Sequence, residues 1–101
     1  MAVISEKTGI KQEVLDEIVD LAKKNRIEKV LLFGSRARGD YHKTSDIDLA
    51  TTGGFHAGFA ADVDELTSTL LTYDVVDLDG TVQEELRQSI QREGFVIYEK
   101  V

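Results

Sequence analysis

The sequence predicts an α/β fold of the α+β type, in which helices pack on a small mixed β-sheet. Short apolar runs alternate with amphipathic segments of helical spacing, and glycines mark several of the connections between them. The predicted order is helix, strand, turn, strand, helix, strand, helix, strand. Because the chain has 101 residues and shows no linker or internal repeat, we expect residues 1–101 to form a single domain.

The amino-terminal half is predicted to contain one helix and two strands. Apolar residues recur at spacings of three, four and seven over residues 11–25, which is typical of an amphipathic helix, with Ser5 or Thr8 as its cap. The apolar run that ends at Phe33 predicts a first strand over residues 29–33, buried on both faces. A glycine and about one helical turn follow it, and residues 46–52 are predicted to form the second strand.

The carboxyl-terminal half is predicted to contain two helices and two strands. Apolar spacing favours a helix over residues 59–71, after a glycine-rich connection. Residues 73–78 mix β-branched side chains with acids and are predicted to form the third strand. Thr81 and Glu84 have the spacing of a capping box, which predicts that a helix begins there. Residues 95–98 form the last predicted strand.

Composition limits the classes of function. The chain has 12 basic and 19 acidic side chains, a formal net charge of −7, so we expect no stable direct binding of nucleic acid. It has no cysteine, which excludes disulfides and thiolate metal sites. Apolar runs stay far below the roughly 20 residues of a membrane span, and the amino terminus lacks the apolar region of a signal peptide. We therefore expect a cytoplasmic protein that makes no contact with membranes.

Basic side chains and a glycine come directly after the first strand. Gly34 and Ser35 end it, and Arg36 and Arg38 follow. If Ser35 opens a helix, the exposed N–H groups point at an incoming phosphate, and the arginines add charge-assisted hydrogen bonds. We predict that these four residues bind a nucleotide; the alternative is an ordinary surface turn with solvated arginines.

A pair of acids begins the second strand. Asp46 and Asp48 are two residues apart, so both carboxylates leave the same face of a strand. Carboxylates this close repel each other unless a cation compensates them, and Mg²⁺ prefers a few carboxylates together with phosphate oxygens and water. Asp74 or Asp77 of the next strand could supply a third carboxylate, for metal or for the proton of an attacking hydroxyl. The alternative is an exposed face of an edge strand.

Gly34-Ser35 followed by Asp46-Ile47-Asp48 resembles the signature of the polymerase-beta-like nucleotidyltransferase superfamily. The stretches 33–39 and 45–50 are most similar to its minimal nucleotidyltransferases, and the likeness extends through residues 73–77 and 87–98. The resemblance implies that Gly34 and Ser35 hold the triphosphate of a nucleotide. It also implies that Asp46 and Asp48 bind Mg²⁺, as two ions, with Asp74 as the third acid.

Members of that family transfer a nucleoside monophosphate to a hydroxyl and release pyrophosphate. Minimal members are commonly encoded beside a small helical HEPN-domain protein, often as antitoxin and toxin, and some attach AMP from ATP to a tyrosine of the toxin. The resemblance therefore implies Mg-dependent AMP transfer from ATP to a HEPN-type partner. The alternatives are a non-catalytic module that neutralises such a partner by docking, and an antibiotic-modifying nucleotidyltransferase, which usually has an extra domain. The sequence leaves self-association into a homo-oligomer open.

Overall fold

The computed structural model describes residues 4–101. Met1 to Val3, the first residues of the predicted domain, lie outside the described residues. The predicted element order is confirmed, with one additional short helix at the start. The helices are α1 (Ile4–Thr8), α2 (Gln12–Lys24), α3 (Ser35–Arg38), α4 (His56–Leu66) and α5 (Glu84–Glu93). The strands are β1 (Lys29–Phe33), β2 (Ile47–Thr52), β3 (Tyr73–Asp77) and β4 (Phe95–Glu99). No helix within residues 4–101 has the length and apolar character needed to cross a membrane.

The strands of the described chain form one sheet in the order β3-β2-β1-β4. β2 and β3 are parallel, whereas β1 is antiparallel to both β2 and β4. The sheet is therefore mixed, as the sequence predicts. Two parallel neighbours need a connection that returns to the starting end of the sheet, and α4 lies in that connection.

One face of the sheet carries the larger hydrophobic core. Leu32 of β1 and Leu49 of β2 pack there with Ile18 of α2 and Phe59 of α4. All four side chains are fully buried, and burial of each contributes about 1.5–3 kcal/mol to folding. The apolar stripe of α2 thus anchors the helix on the two central strands.

A smaller core lies on the opposite face, where Phe33 and Ala50 pack against Ile90 of α5. Side chains alternate along a strand, so Asp48 shares this face with Ala50. Asp48 is half-buried and Asp74 of the neighbouring strand is exposed. Asp48 and its ladder partner Asp74 therefore lie on the face that the helices cover less completely.

The helix predicted over residues 59–71 differs from the structure at both ends. α4 spans His56–Leu66, and its buried residues are Phe59 and Val63, one helical turn apart. Leu70, which extended the predicted pattern, is fully exposed in the connection to β3. Thr67 follows the helix, and its hydroxyl donates to the carbonyl of Val63 at 2.6 Å. The helix ends before Leu70 because its buried stripe already ends at Val63.

The predicted capping box at Thr81 is wrong. α5 begins at Glu84 with Gln83 as its N-cap residue and no capping hydrogen bond from a side chain. Thr81 lies two residues before Gln83. Arg87 instead ties the helix to the end of β3, because its guanidinium donates to the carbonyl of Leu78 at 3.1 Å. Thr8 also does not cap α2; it ends α1, where its hydroxyl donates to the carbonyl of Ile4 at 2.6 Å.

Candidate active site

The turn after β1 is built around Gly34. Its backbone has φ +76° and ψ −158°, a conformation that side-chain-bearing residues essentially never adopt. A Cβ atom at this position would also collide with the carboxylate of Asp48. The carbonyl of Gly34 accepts hydrogen bonds from the N–H groups of Ala37 and Arg38, at 3.1 and 3.0 Å, and so starts α3. Glycine therefore permits the turn to lie directly against the Asp48 carboxylate.

The sheet register brings two predicted acids side by side. Asp48 of β2 is paired with Asp74 of β3 in the parallel ladder, and with Phe33 of β1 on its other side. Neighbouring strands lie about 4.8 Å apart, so the two carboxylates begin from adjacent backbone positions. Asp46 directly precedes β2. The three predicted acids thus gather beside the turn that Gly34 forms.

Burial and the neighbouring carboxylates disfavour the ionised form of Asp48. Burial raises the pKa of Asp48 to about 6, and the neighbouring Asp74 and Asp46 carboxylates act in the same direction. The Arg38 guanidinium opposes this rise in pKa without cancelling it. A cation at the group would favour the ionised carboxylate, and the uncompensated negative charge is therefore a reason for the site to bind one.

Thr72 is a residue of the site that the sequence did not indicate. Its hydroxyl donates a hydrogen bond to Oδ1 of Asp46, and its carbonyl accepts one from the N–H of Ile47 at 2.9 Å. These bonds fix Asp46 against the start of β3. Thr72 acquires this position through the parallel pairing of β2 with β3, which residue spacing alone does not reveal.

The structure separates Asp74 from the other candidate for the third acid, Asp77. Asp77 accepts a hydrogen bond from the N–H of Asp79 at 3.0 Å, and Asp79 accepts one from the N–H of Gly53 at 2.6 Å. Both acids therefore serve the turn after β3. Asp77 is paired with Thr51, three positions along the ladder from Asp48. The geometry favours Asp74 as the third acid.

Arg36 does not lie where the sequence analysis places it. The side chain is 1% exposed, and its guanidinium points into the protein and not towards the turn at Gly34. It donates hydrogen bonds to four backbone carbonyl oxygens, those of Thr8, His42, Lys43 and Ser45. We therefore correct its predicted role in nucleotide binding, because the donors that would bind a phosphate are engaged within the fold.

Arg38 is exposed and remains near the acids. Its guanidinium forms ion pairs with Asp40, at 3.2 Å, and with Glu93 of α5, at 2.9 Å. Hydrogen bonds to Asp40 and Glu93 raise its pKa further, so the group stays charged. Exposed ion pairs are weak and exchange readily with other anions. Arg38 is thus the predicted arginine that is available for a phosphate.

Comparison with known proteins identifies the family. The family model described as “Polymerase beta, Nucleotidyltransferase” matches residues 16–101, which contain the turn and all three acids. The chain belongs to this family. It is a nucleotidyltransferase, and the resemblance seen in its sequence is confirmed.

A curated relative and two solved structures are similar to this nucleotidyltransferase. The relative is “Putative protein adenylyltransferase MJ0604” from Methanocaldococcus jannaschii, 34% identical over 99 residues, which cover 86% of this chain and 97% of the relative. A toxin–antitoxin crystal structure with AMP-PNP has a TM-score of 0.70 at 23% identity, covering 85% of this chain and 73% of the other. A mutant of the toxin–antitoxin pair MntA-HpeT has a TM-score of 0.69 at 21% identity, with the same coverages. At these identities the two structures show the shared fold.

The donor set of this nucleotidyltransferase fits magnesium. Among residues 4–101, no three histidine, cysteine or acidic side chains converge tightly enough to hold an ion by themselves. Mg²⁺ typically takes one or two carboxylates and completes its shell with water and substrate phosphates. Asp46 and Asp48 offer such carboxylates beside a turn suited to phosphate. The arrangement therefore fits an ion that binds together with a nucleotide.

Replacing Gly34 by alanine is expected to damage the turn more than the same change at Gly39. Both glycines have positive φ, but a Cβ at Gly39 would meet no atom within 4 Å. We expect Gly39→Ala to cost about 1 kcal/mol of unfolding free energy. Gly34→Ala should cost about 3 kcal/mol or more, because it combines backbone strain with the collision. Urea unfolding measures both losses.

A second substitution identifies the collision. If the Asp48 carboxylate is the obstacle, adding Asp48→Ala should recover more unfolding free energy in Gly34→Ala than in Gly39→Ala, where only the removal of the carboxylate charge contributes. Additive effects in both pairs would show that Gly34 is required for its backbone conformation alone.

Asp48→Asn is expected to stabilise the metal-free protein. The folded-state pKa of Asp48, about 6, lies above the ordinary 3.8, so ionisation of Asp48 disfavours folding. This penalty is absent at a pH below the ordinary pKa of 3.8 and grows as the pH rises from there. It is complete at a pH above the folded-state pKa of about 6. Allowing for solvent screening, we expect Asp48→Asn to gain about 1–2 kcal/mol at neutral to alkaline pH, and less in acid.

Urea unfolding in metal-free buffer at about pH 4.5 and about pH 8 measures this difference. Asp20→Asn, at an exposed position of α2, is the control and should change the unfolding free energy little at either pH. A loss of stability for Asp48→Asn at the higher pH would contradict the predicted cost of ionising Asp48.

Proposed function

We propose that this nucleotidyltransferase transfers AMP from Mg-ATP to a hydroxyl of a partner protein. The partner we propose is a HEPN-domain toxin, with the present chain, acting as one minimal domain, as its antitoxin. The observation that carries the proposal is the contact between the Gly34 turn and the Asp48 carboxylate, with Asp74 in register beside it. A phosphate-binding turn and metal-binding acids are needed together at a transferred phosphate.

In this proposal each residue of the site has a separate role. The N–H groups that open α3 and the Ser35 hydroxyl bind the triphosphate, and Arg38 offsets its charge. Asp46 and Asp48 would hold Mg²⁺, and the bound ion would stabilise negative charge on the α-phosphate and on the leaving pyrophosphate. Asp74 is exposed and accepts the proton of the attacking hydroxyl. The acceptor oxygen forms a new bond to the α-phosphorus. The bond from the α-phosphorus to the oxygen that bridges it to the β-phosphorus breaks, and that oxygen leaves with pyrophosphate.

Three kinds of support favour a protein as acceptor. The acids lie on the less covered face of the sheet, and Asp74 and Asp46 are both exposed, so a bulky acceptor can approach them. The relative from Methanocaldococcus jannaschii carries protein adenylyltransferase in its name, and the structural neighbours are toxin–antitoxin proteins, one of them with AMP-PNP. The net charge of −7 suits a basic partner, and use of ATP is in keeping with the cytoplasm.

Labelled ATP tests the reaction. The purified chain is incubated with Mg²⁺, the proposed HEPN-domain partner and ATP labelled on the α-phosphate or on the γ-phosphate. We expect only the α label to enter the partner, because AMP and not phosphate is transferred. Asp74→Asn should lower the rate at least about 100-fold, since it removes the proton acceptor.

Asp77→Asn is the matched control, because it lies on the same strand and its amide oxygen can still accept the hydrogen bond from Asp79. It should transfer AMP at close to the wild-type rate. Transfer of the γ label would contradict the proposed reaction, and equal losses in the two variants would contradict the role of Asp74. Full neutralisation of the toxin by Asp46→Asn/Asp48→Asn would support docking without catalysis.

A further inference from the structure

Arg36 is the largest fully buried side chain in the described part of the protein. A buried guanidinium is costly unless its donors are satisfied, and this one is satisfied by backbone carbonyls. Nη1 donates to Thr8 at 3.0 Å, Nε to Ser45 at 3.1 Å, and Nη2 to Lys43 at 3.2 Å and His42 at 3.4 Å. Its carbon Cζ also lies 4.9 Å from the centre of the Tyr41 ring.

Three of the four carbonyls belong to the loop of residues 39–46, which joins α3 to β2. This loop also closes on itself, because the N–H of Ser45 donates to the carbonyl of His42 at 3.1 Å and the N–H of His42 donates to Oγ of Ser45 at 2.8 Å. Arg36 crosses this closed turn and binds carbonyls along its length. The arginine therefore fixes the shape of the loop from inside.

The bond to Ser45 reaches the metal-binding acid most directly. The carbonyl of Ser45 and the N–H of Asp46 belong to the same planar peptide unit, so a bond from Arg36 to that carbonyl sets the plane from which Asp46 extends. On its other side Asp46 is held by the hydroxyl of Thr72. Asp46 is exposed, yet it is restrained from both directions.

Arg36 itself belongs to α3, one residue after Ser35 of the phosphate turn. One side chain thus connects the turn proposed for the triphosphate with the acid proposed for the metal. We propose that Arg36 is a positioning residue that sets Asp46 relative to the phosphate turn, so that Mg²⁺ can bind Asp46 and the nucleotide together. This inference rests on the proposed use of Mg-ATP and adds the residue that aligns the two halves of the site.

Lysine cannot replace arginine in this role. Arginine has five N–H donors in a planar fork, and four carbonyls in different directions use that fork, whereas a lysine ammonium is a point charge with three donors. Residues that orient metal ligands typically affect metal affinity by about 10–100-fold. We expect Arg36→Lys to raise the Mg²⁺ concentration needed for half-maximal ATP binding about 10-fold, with little change in ATP affinity at saturating Mg²⁺.

Calorimetric titration of ATP at a series of Mg²⁺ concentrations measures this shift without any acceptor. Arg87→Lys is the matched control, because Arg87 also donates to a backbone carbonyl, that of Leu78, but in a different part of the fold. It should lose stability without changing the Mg²⁺ requirement. An equal shift in both variants would show general loosening of the protein and overturn the inference.

A second variant keeps Arg36 in place. Tyr41→Leu removes the aromatic ring from the guanidinium and should shift the Mg²⁺ requirement in the same direction, about threefold. Thermal unfolding identifies which variants are folded. An unchanged Mg²⁺ requirement in folded Arg36→Lys, or in Tyr41→Leu if Arg36→Lys does not fold, would overturn the positioning role. Failure of the wild-type chain to bind Mg-ATP would instead contradict the proposed function.

Discussion

The close approach of Gly34 to the Asp48 carboxylate is the constraint on which the site depends. It places a turn suited to phosphate against an acid suited to metal, and it requires a backbone conformation and a space that only glycine provides. The arrangement has a cost in the absence of ligand. Asp48 is half-buried beside Asp74 and Asp46, and its pKa is raised to about 6. A cation that binds together with a nucleotide would offset this unfavourable electrostatic energy.

The division of the sheet into two unequal faces makes this cost tolerable. α2 and α4 bury the larger core on one face, so most of the fully buried apolar side chains lie on the face opposite to Asp48. The opposite face has the smaller core at Phe33, Ala50 and Ile90, which leaves the adjoining acids accessible. Apolar packing does not fix the loop that leads to Asp46. Hydrogen bonds from the buried Arg36 hold this loop instead.

Local patterns in the sequence predicted much of the fold and the main candidates of the site. The bounds of β1 agree because an apolar run between two polar stretches has few other interpretations. Asp46 and Asp48 could be paired from strand alternation alone. The proximity of Asp74 depends on the parallel register of β2 and β3, and that of Thr72 depends on the same register, which local patterns do not contain. Arg36 was misassigned because an arginine beside a phosphate-like turn gives no sign that it is buried.

The proposed function requires that the turn and the acids form one Mg-dependent nucleotide site. Calorimetric titration of ATP into the wild-type chain and into Asp46→Asn/Asp48→Asn, with and without Mg²⁺, tests it most directly and requires no knowledge of the acceptor. Wild-type binding of ATP is expected to require Mg²⁺, and the double variant, although folded, is expected to lose this binding. ATP binding of equal affinity without Mg²⁺, or in the double variant, would contradict the account.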